Sequence, residues 1–506
     1  MASLGRITRW DDEADVVVLG FGLAGAVTAM TAHDEDPDAD ILIIEKMPER
    51  YAGGNSRASG QTLVFPTDLD KWVVYQQALN EPNPIPDAVL RAWAEERVDL
   101  EAWVMRLAEE VGMEYVRHQR RGPELKPPVP EFPDLPGAEC IEFLATIRPE
   151  PSGVWKTFQA QVERRPRIRR RFETAAYDLV QDPDSLEVFG VLVRSGGREE
   201  AVRARRAVVL CTGGFENNLQ MQKDYFGLDR VYTAGTPGNT GDGIKMLQKA
   251  GAELWHLRNR NQTGGFWPAI KVPEYESVFM KALDFVGTSF IEIAKDDQRF
   301  YDEAFHYAST HYRVKDHGVW VDTYHFRMLP VHLIFDEAFR PQQRLTLDRA
   351  WMSWNLTVEQ YQWSEDNRAE IEKGWIVKAN TIRELALTIG RDPERVEATV
   401  NRFNGYAAEG RDPEFGRAAH QMSPIVQPPF YAVEIVPAIV CTTGGGVRNA
   451  RAQVISIFGT PIPRLYEAGE LGSTHANLYQ NGSFLTECMA FGRIAGRNAV
   501  REPAWE

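Results

Sequence analysis

The stretch that most restricts the fold reads "ADVVVLGFGLAGAVTAMTAH" (14–33), followed by "ADILIIEK" (39–46). A β-branched run from Val16 to Leu19 meets Gly20, Gly22 and Gly25, and a helix of small residues begins there. A second apolar run then ends in Glu45. This is the βαβ dinucleotide fingerprint in its expected context, and it predicts an α/β domain with a parallel sheet. The first glycine makes the turn, the second lets the backbone approach a pyrophosphate, and the third permits close helix–strand packing. The helix N-terminus offers unpaired N–H groups and a dipole that favours anions. Glu45, 20 residues beyond Gly25, is placed for ribose hydroxyls.

At 506 residues the chain exceeds what one core usually serves, so two domains are expected. A net charge of −15 disfavours nucleic acid and anionic membrane as partners. The basic run "RRPRIRRRF" (164–172) then reads as a solvated face. Cys140, Cys211, Cys441 and Cys488 are far apart, with no CxxC. That argues against a zinc ribbon, a redox dithiol or an attached haem, and fits a reducing compartment. The N-terminus lacks the apolar core of a secretory signal, and no apolar run approaches about 18 residues. The reading is cytoplasmic, with no integral membrane segment, no metal-ligand spacing and no nucleophile elbow.

Glycine-rich turns recur at 53–60, 212–214, 238–243, 444–446 and 469–472, at both ends of the chain. From about 260 the texture changes to more Trp, Tyr and His, and a segment of helical periodicity (381–410) closes this region. Residues 262–424 therefore read as an inserted domain, flanked by 1–261 and 425–506. An NAD dehydrogenase often confines its cofactor to one compact Rossmann domain. A long cofactor threading two discontinuous segments explains the spread of turns better, and FAD is the expected dinucleotide. "NGSFLTECMAFGRIAG" (481–496) supplies a second helix N-terminus, whose dipole would favour negative charge near N1 and O2 of a reduced flavin.

In order along nearly the whole chain, "GFGLAG…IIEK…GGNSRASG…CTGGF…TGDGIKMLQKAGA…TTGGG…LYEAGELG…FGRIAG" resembles the flavoprotein family of soluble fumarate reductases and 3-ketosteroid dehydrogenases. The resemblance implies a Rossmann-like, glutathione-reductase-like FAD domain split by an α+β capping domain, with non-covalent FAD and substrate between cap and flavin. By that resemblance Gly20, Gly22, Leu23, Ala24 and Gly25 hold the pyrophosphate, Glu45 and Lys46 the adenosine ribose side, and Glu470 the ribityl chain. Gly54, Asn55, Ser56, Ser59 and Gly60 line the flavin, as do Ser483 and Leu485 through backbone groups. Thr212, Gly213 and Asp242 complete the cofactor contacts.

Dicarboxylate reductases of this family hold their substrate with guanidinium forks. Their C-terminal HGANRLGGN corresponds to "HANLYQNGS" (475–483), which places Tyr479 where the arginine stands. Their proton-donating arginine lies four residues after the glutamate of RF-x-NE; here the motif is "RFYDE", and the position is Tyr307. If that stretch is helical, Glu303 and Tyr307 share a face. A histidine before the family's TMGG corresponds to Cys441, read as a small buried filler. The ketosteroid dehydrogenases instead carry tyrosines at both arginine positions. Carried over, Tyr307 is the acid/base, Tyr479 the carbonyl anchor, and the Ser483 N–H the second donor, where those enzymes have glycine. Their YPGPG run is absent.

This implies exchange of hydride with flavin N5 at a carbon adjacent to the ketone-activated position of a neutral, steroid-like cyclic ketone or enone, in either direction. Two hydrogen bonds to the carbonyl would stabilise developing enolate charge. A tyrosine with pKa of about 10 needs help to act as a base, and His306, His311 and His475 are candidates. His475 reads equally as a satisfied structural histidine or a substrate contact. Arg299 and Glu303 read as a brace within the cap. With no haem motif and no second nucleotide fold, the electron partner is external. Three alternatives stay open: reduction of an unsaturated acid such as fumarate or urocanate, an oxidase-like flavoprotein without enone chemistry, and an NAD-dependent dehydrogenase.

Overall fold

The computed structural model describes residues 2–118, 129–149, 151–227, 230–259, 267–275, 278–282, 285–304, 313–316, 319–322, 328–347 and 361–505. The chain divides into two compact units, Met1–Thr263 with Met352–Leu356 and Val440–Glu506, and Gly264–Trp351 with Thr357–Ile439.

The first unit is built outward from the fingerprint. Strand β1 (Asp12–Leu19), helix α1 (Leu23–Glu35) and strand β2 (Ile41–Ile44) form the βαβ unit. β1 and β2 run parallel, with Val16 opposite Ile41 and Leu19 opposite Ile44. β3 (Ile168–Arg171) continues the sheet beyond β2. Every residue of β2, and β1 from Ala14 onward, is buried, the pattern of parallel strands covered on both faces. Beyond β4 (Val188–Ser195), β5 (Arg198–Leu210) serves two partners. Its first half pairs antiparallel with β4, and its end lies parallel between β1 and β6 (Pro461–Glu467), with Leu210 opposite both Leu19 and Glu467. Leu19, Leu42, Val208, Leu465 and Leu471 share one core, each contributing roughly 1.5–3 kcal/mol by its burial.

Helix α2 (Ser483–Val500) lies against α1 at backbone distance. A Cβ at Gly492 would stand 3.0 Å from the Ala24 carbonyl, and one at Gly496 only 2.4 Å from the Thr28 carbonyl. Two glycines one turn apart thus bring the C-terminal helix against the first helix of the chain.

The second unit is an antiparallel sheet centred on the strand Phe430–Ile439. Val331–Asp336 pairs along one edge, with Phe290–Ile293 beyond it. Val377–Ala379 and Trp267–Lys271 share the other edge, with Val278–Met280 outermost. The helices Ile382–Thr388 and Pro393–Glu409 cover a face, packing Leu385, Val396 and Phe403 on Ile291 and Ile334. The longer helix begins at Asp392, whose carboxylate accepts from the N–H groups of Glu394 and Arg395, and ends at left-handed Gly410. The unit is thus α+β, while the first is α/β.

Arg299–Ala304 forms bends and a turn, so the helical geometry considered for "RFYDE" does not hold there. Arg299 grips Glu303 with a two-pronged fork, Nε to Oε1 and Nη2 to Oε2 both 2.7 Å, and Nη2 also donates to Asp412 at 2.9 Å. All three side chains are buried, so this pairing braces the second unit. Tyr307, His306 and His311 lie outside the described residues. Among the described residues no helix is long and apolar enough to cross a membrane.

Candidate cofactor and substrate site

The loop between β1 and α1 is shaped by its glycines. Gly20 has φ +102°, and a Cβ there would lie 2.3 Å from the Cys211 carbonyl. A Cβ at Gly25 would lie 2.0 Å from the Gly20 carbonyl, so both positions exclude a side chain. Gly22 differs: the nearest atoms to its Cβ, the Gly53 carbonyl and Ser56 Oγ, are 3.6 and 3.7 Å away. It caps α1 without a side chain, and Leu23 N–H donates to Ser56 Oγ at 3.1 Å. Glu45 closes the turn from β2, its Oε2 accepting from Phe21 N and its Oε1 from Met47 N, both at 2.8 Å. Each oxygen keeps a second lone pair for a hydroxyl.

Lys46 and Asp242, both expected on the cofactor, pair with each other at 2.6 Å, and Lys46 also donates to Thr240 at 2.7 Å. Ser56 and Ser59 are tied by Gln61, whose Nε2 donates to the Ser56 carbonyl at 2.6 Å and to Ser59 Oγ at 2.9 Å. Gln61 adopts φ +56°, a left-handed conformation held by its amide bonds to both sides, including Oε1 accepting from Val154 N–H at 3.0 Å. Thr212 Oγ1 is buried without a partner among the described residues, next to left-handed Gly213. A bare helix N-terminus, a glycine cradle, an acid at the second strand's end and an orphaned hydroxyl fit a dinucleotide.

Asn55 reaches across the unit. Its Nδ2 donates to Glu216 Oε1 at 2.6 Å and to Glu470 Oε2 at 2.9 Å, and its Oδ1 accepts from Thr236 N–H at 2.8 Å. Asn239 Nδ2 donates to Glu216 Oε1 at 2.7 Å, and Thr442 N–H donates to Glu470 Oε1 at 3.1 Å. Both carboxyls are buried, and burial pushes both upward, Glu470 further because it sits beside Glu216. Sequence reasoning found Asn55 and Glu470 but missed Glu216 and Asn239. The available signal was an acidic residue two places after the glycines of "CTGGFE".

The segment before α2 carries the expected substrate residues. Tyr479 is buried; its oxygen accepts from Gly482 N–H at 3.0 Å, and burial, then the Glu131 carboxyl, pushes its pKa up. Ser483 N–H donates to the Gln480 carbonyl at 3.0 Å, and the Ser483 hydroxyl donates to the same oxygen at 2.7 Å. Leu485 lies buried in the first turn of α2. His475 is fully buried, with Nε2 2.8 Å from Ser483 Oγ and Nδ1 3.0 Å from Ser473 Oγ and 3.2 Å from Glu487. Glu487 also pairs with Arg448; burial pushes this carboxyl up, but Arg448 and His475 outweigh it and leave it at about 2. His475 is thus the satisfied centre of a buried polar cluster. Glu131, whose Oε2 accepts from Asn481 N–H at 2.7 Å, comes from a proline-rich segment, "VPEFPDLP" (129–136).

Comparison with known proteins agrees with this geometry. The FAD binding domain family matches residues 15–483. The NADH:fumarate oxidoreductase of Klebsiella pneumoniae (strain 342) is 26% identical over 504 residues, covering 96% of this chain and 48% of that protein. This chain therefore spans about half the length of that relative. The digoxin reductase of Eggerthella lenta is 26% identical over 545 residues, covering 98% and 89% of the two chains. The 3-ketosteroid delta1-dehydrogenase of Sterolibacterium denitrificans, solved with 1,4-androstadiene-3,17-dione, superposes with a TM-score of 0.74 at 21% identity, covering 97% and 99%. That likeness shows the fold, and the family match spans most of both units' sequence. The chain belongs to the FAD binding domain family of flavoproteins.

Proposed function

We propose that this protein is an FAD-dependent oxidoreductase acting on a carbon–carbon bond next to the carbonyl of a neutral cyclic ketone or enone. The cofactor is held non-covalently. Bound flavin supplies the hydride acceptor or donor; the protein supplies the carbonyl anchor and the proton. In this proposal the first unit is the cofactor domain and the second the substrate domain, with the strand Phe430–Ile439 on the substrate side of the boundary expected at 424.

The observation that carries the reading is the environment of residue 479. Dicarboxylate reductases resembling this chain place an arginine there, and this chain places a buried tyrosine whose foremost electrostatic neighbour is an acid, Glu131. Burial pushes Glu131 well above the usual carboxylate range. A buried phenol beside a buried acid stays an O–H donor at neutral pH. That suits hydrogen bonding to a ketone oxygen and offers nothing to balance a carboxylate's charge. Tyr307 would move the α-proton as acid or base. The names of the relatives keep a second reading alive, reduction of an unsaturated acid. Four buried free cysteines fit work in a reducing compartment, the cytoplasm, with an external electron partner.

A panel of cyclic ketones and enones, run anaerobically beside fumarate and urocanate, tests this. Bleaching of the flavin by a saturated ketone, or reoxidation of reduced flavin by an enone, supports the reading. Response to the acids alone replaces it with the second.

A further inference from the structure

Glu216 and Glu470 form a buried carboxyl pair with no cation beside it among the described residues. Asn55 bridges them with one amide nitrogen, and Asn239 donates to Glu216 Oε1 at 2.7 Å and reaches Glu470 at 3.4 Å. The two carboxyls face each other beside Gly214, where a Cβ would lie 2.4 Å from Glu470 Oε1 and 2.8 Å from Glu216 Oε2. Among the described residues neither has a Lys, Arg or His within ion-pair distance, and Glu216 is 0% and Glu470 7% exposed. Two adjacent carboxylates buried without a counter-ion repel each other and lose their water, so the pair retains a proton.

We infer that Glu216 and Glu470 hold a single proton between them, and that Glu216 is a positioning residue presenting Glu470 to the cofactor as a neutral acid. A protonated carboxyl donates and accepts, which suits a polyol such as the ribityl chain, whose hydroxyls do both. The second part rests on the proposed placement of Glu470 at that chain. As pH rises the pair releases one proton to water and becomes two adjacent anions. The other groups facing it are neutral or paired. Asn55, Asn239 and Thr442 carry no charge, and the Cys441 thiol is pushed well up by burial and by both carboxylates. Asp242, just after the turn that follows Asn239, pairs at 2.6 Å with Lys46 from the end of β2.

Both carboxyls titrate above their unfolded values, so the stabilisation is full below the ordinary glutamate range, about 4.3, and is lost as pH rises through the folded transition. FAD retention follows the same sign. The test uses the full-length holoprotein, with released FAD read by free-flavin fluorescence across pH for wild type, Glu216→Gln and Glu470→Gln. In wild type the FAD dissociation constant is expected to rise about tenfold per pH unit beyond the transition, the slope of one linked proton. Glu470→Gln, an amide that donates and accepts at every pH, should bind FAD with no such step. Glu216→Gln should move the step to lower pH, because the amide introduced there is uncharged and donates to the Glu470 anion.

Infrared titration of wild type gives a readout that needs no variant: a carboxylic-acid carbonyl band should bleach in a one-proton step. No such band, or a Glu216→Gln step coincident with wild type, overturns the shared proton. A band that is present while FAD affinity is flat with pH and unmoved in both variants overturns the positioning role. That outcome also shows the placement of Glu470 to be wrong.

Discussion

Two helix N-termini in the first unit are used in opposite ways. At α1 the cap is bare Gly22, and Ser56 Oγ meets the Leu23 N–H from outside the helix. At α2 the cap is Gly482, with φ +83°, and the loop before it turns its own groups inward. Gly482 N–H donates to Tyr479, and Ser483 N–H to Gln480. Behind this loop stand fully buried His475, Glu487 and Arg448. The first terminus is left open to an anion. The second is held by a polar cluster with charge pairing, which fixes Tyr479 rather than leaving a general anion site.

Breaking the cluster should have the largest effect. Glu487→Gln leaves the Arg448 guanidinium buried without its counter-charge, and unfolding free energy should fall by about 3–5 kcal/mol in denaturant titration. The Glu487 pKa lies at about 2 against an ordinary 4.5, so its contribution is present above the ordinary value and lost as pH falls towards about 2. The variant should lack that acid limb; a loss near zero would show that the cluster does not anchor α2.

Next is the proposed chemistry. Tyr307→Phe should slow flavin reduction or reoxidation by at least ~10²-fold, the scale of a lost general acid or base. A rate within a few-fold of wild type removes Tyr307 from the mechanism. Tyr479→Phe should cut ketone turnover by roughly 10²-fold while FAD stays bound. Loss of FAD instead would make the second terminus a cofactor support.

The smallest effect sharpens the first terminus. Gly22→Ala has room for its methyl group, so stability should stay within about 0.5 kcal/mol of wild type. The methyl group would nevertheless intrude on the cradle, and FAD affinity should fall about tenfold, or about 1.4 kcal/mol, by equilibrium titration. Unchanged affinity would mean that the pyrophosphate does not approach Gly22.

The parts of the site that were legible in the sequence are those set by local spacing. Gly20, Gly22, Gly25 and Glu45 sit within one βαβ unit, where backbone geometry alone assigns their roles. Glu216 and Asn239 were not legible as a pair with Glu470, because their partners lie far away in sequence, and Gln61 joins a local turn to a distant segment. Asn55 joins Glu216 to Glu470 across the unit, and Gln61 links Ser56 and Ser59 to Val154. Lys46 and Asp242 were assigned to the cofactor from motifs, and the structure adds that they neutralise each other. In the stretch "RFYDE" the described residues up to Ala304 are not helical, and Tyr307 lies outside the described residues.

Residue order alone settled the class of the first unit, the dinucleotide cradle and the recurrence of glycine turns at both ends. Runs of β-branched residues and glycines restrict the backbone wherever they occur. Folding in three dimensions settled which carboxyls lose their water and which find a cation. Glu487 meets Arg448 and its pKa is held down, while Glu216 and Glu470, buried without a cation among the described residues, are pushed up. The same side chain is shifted in opposite directions because desolvation and neighbouring charge act through space, and sequence order does not record that distance.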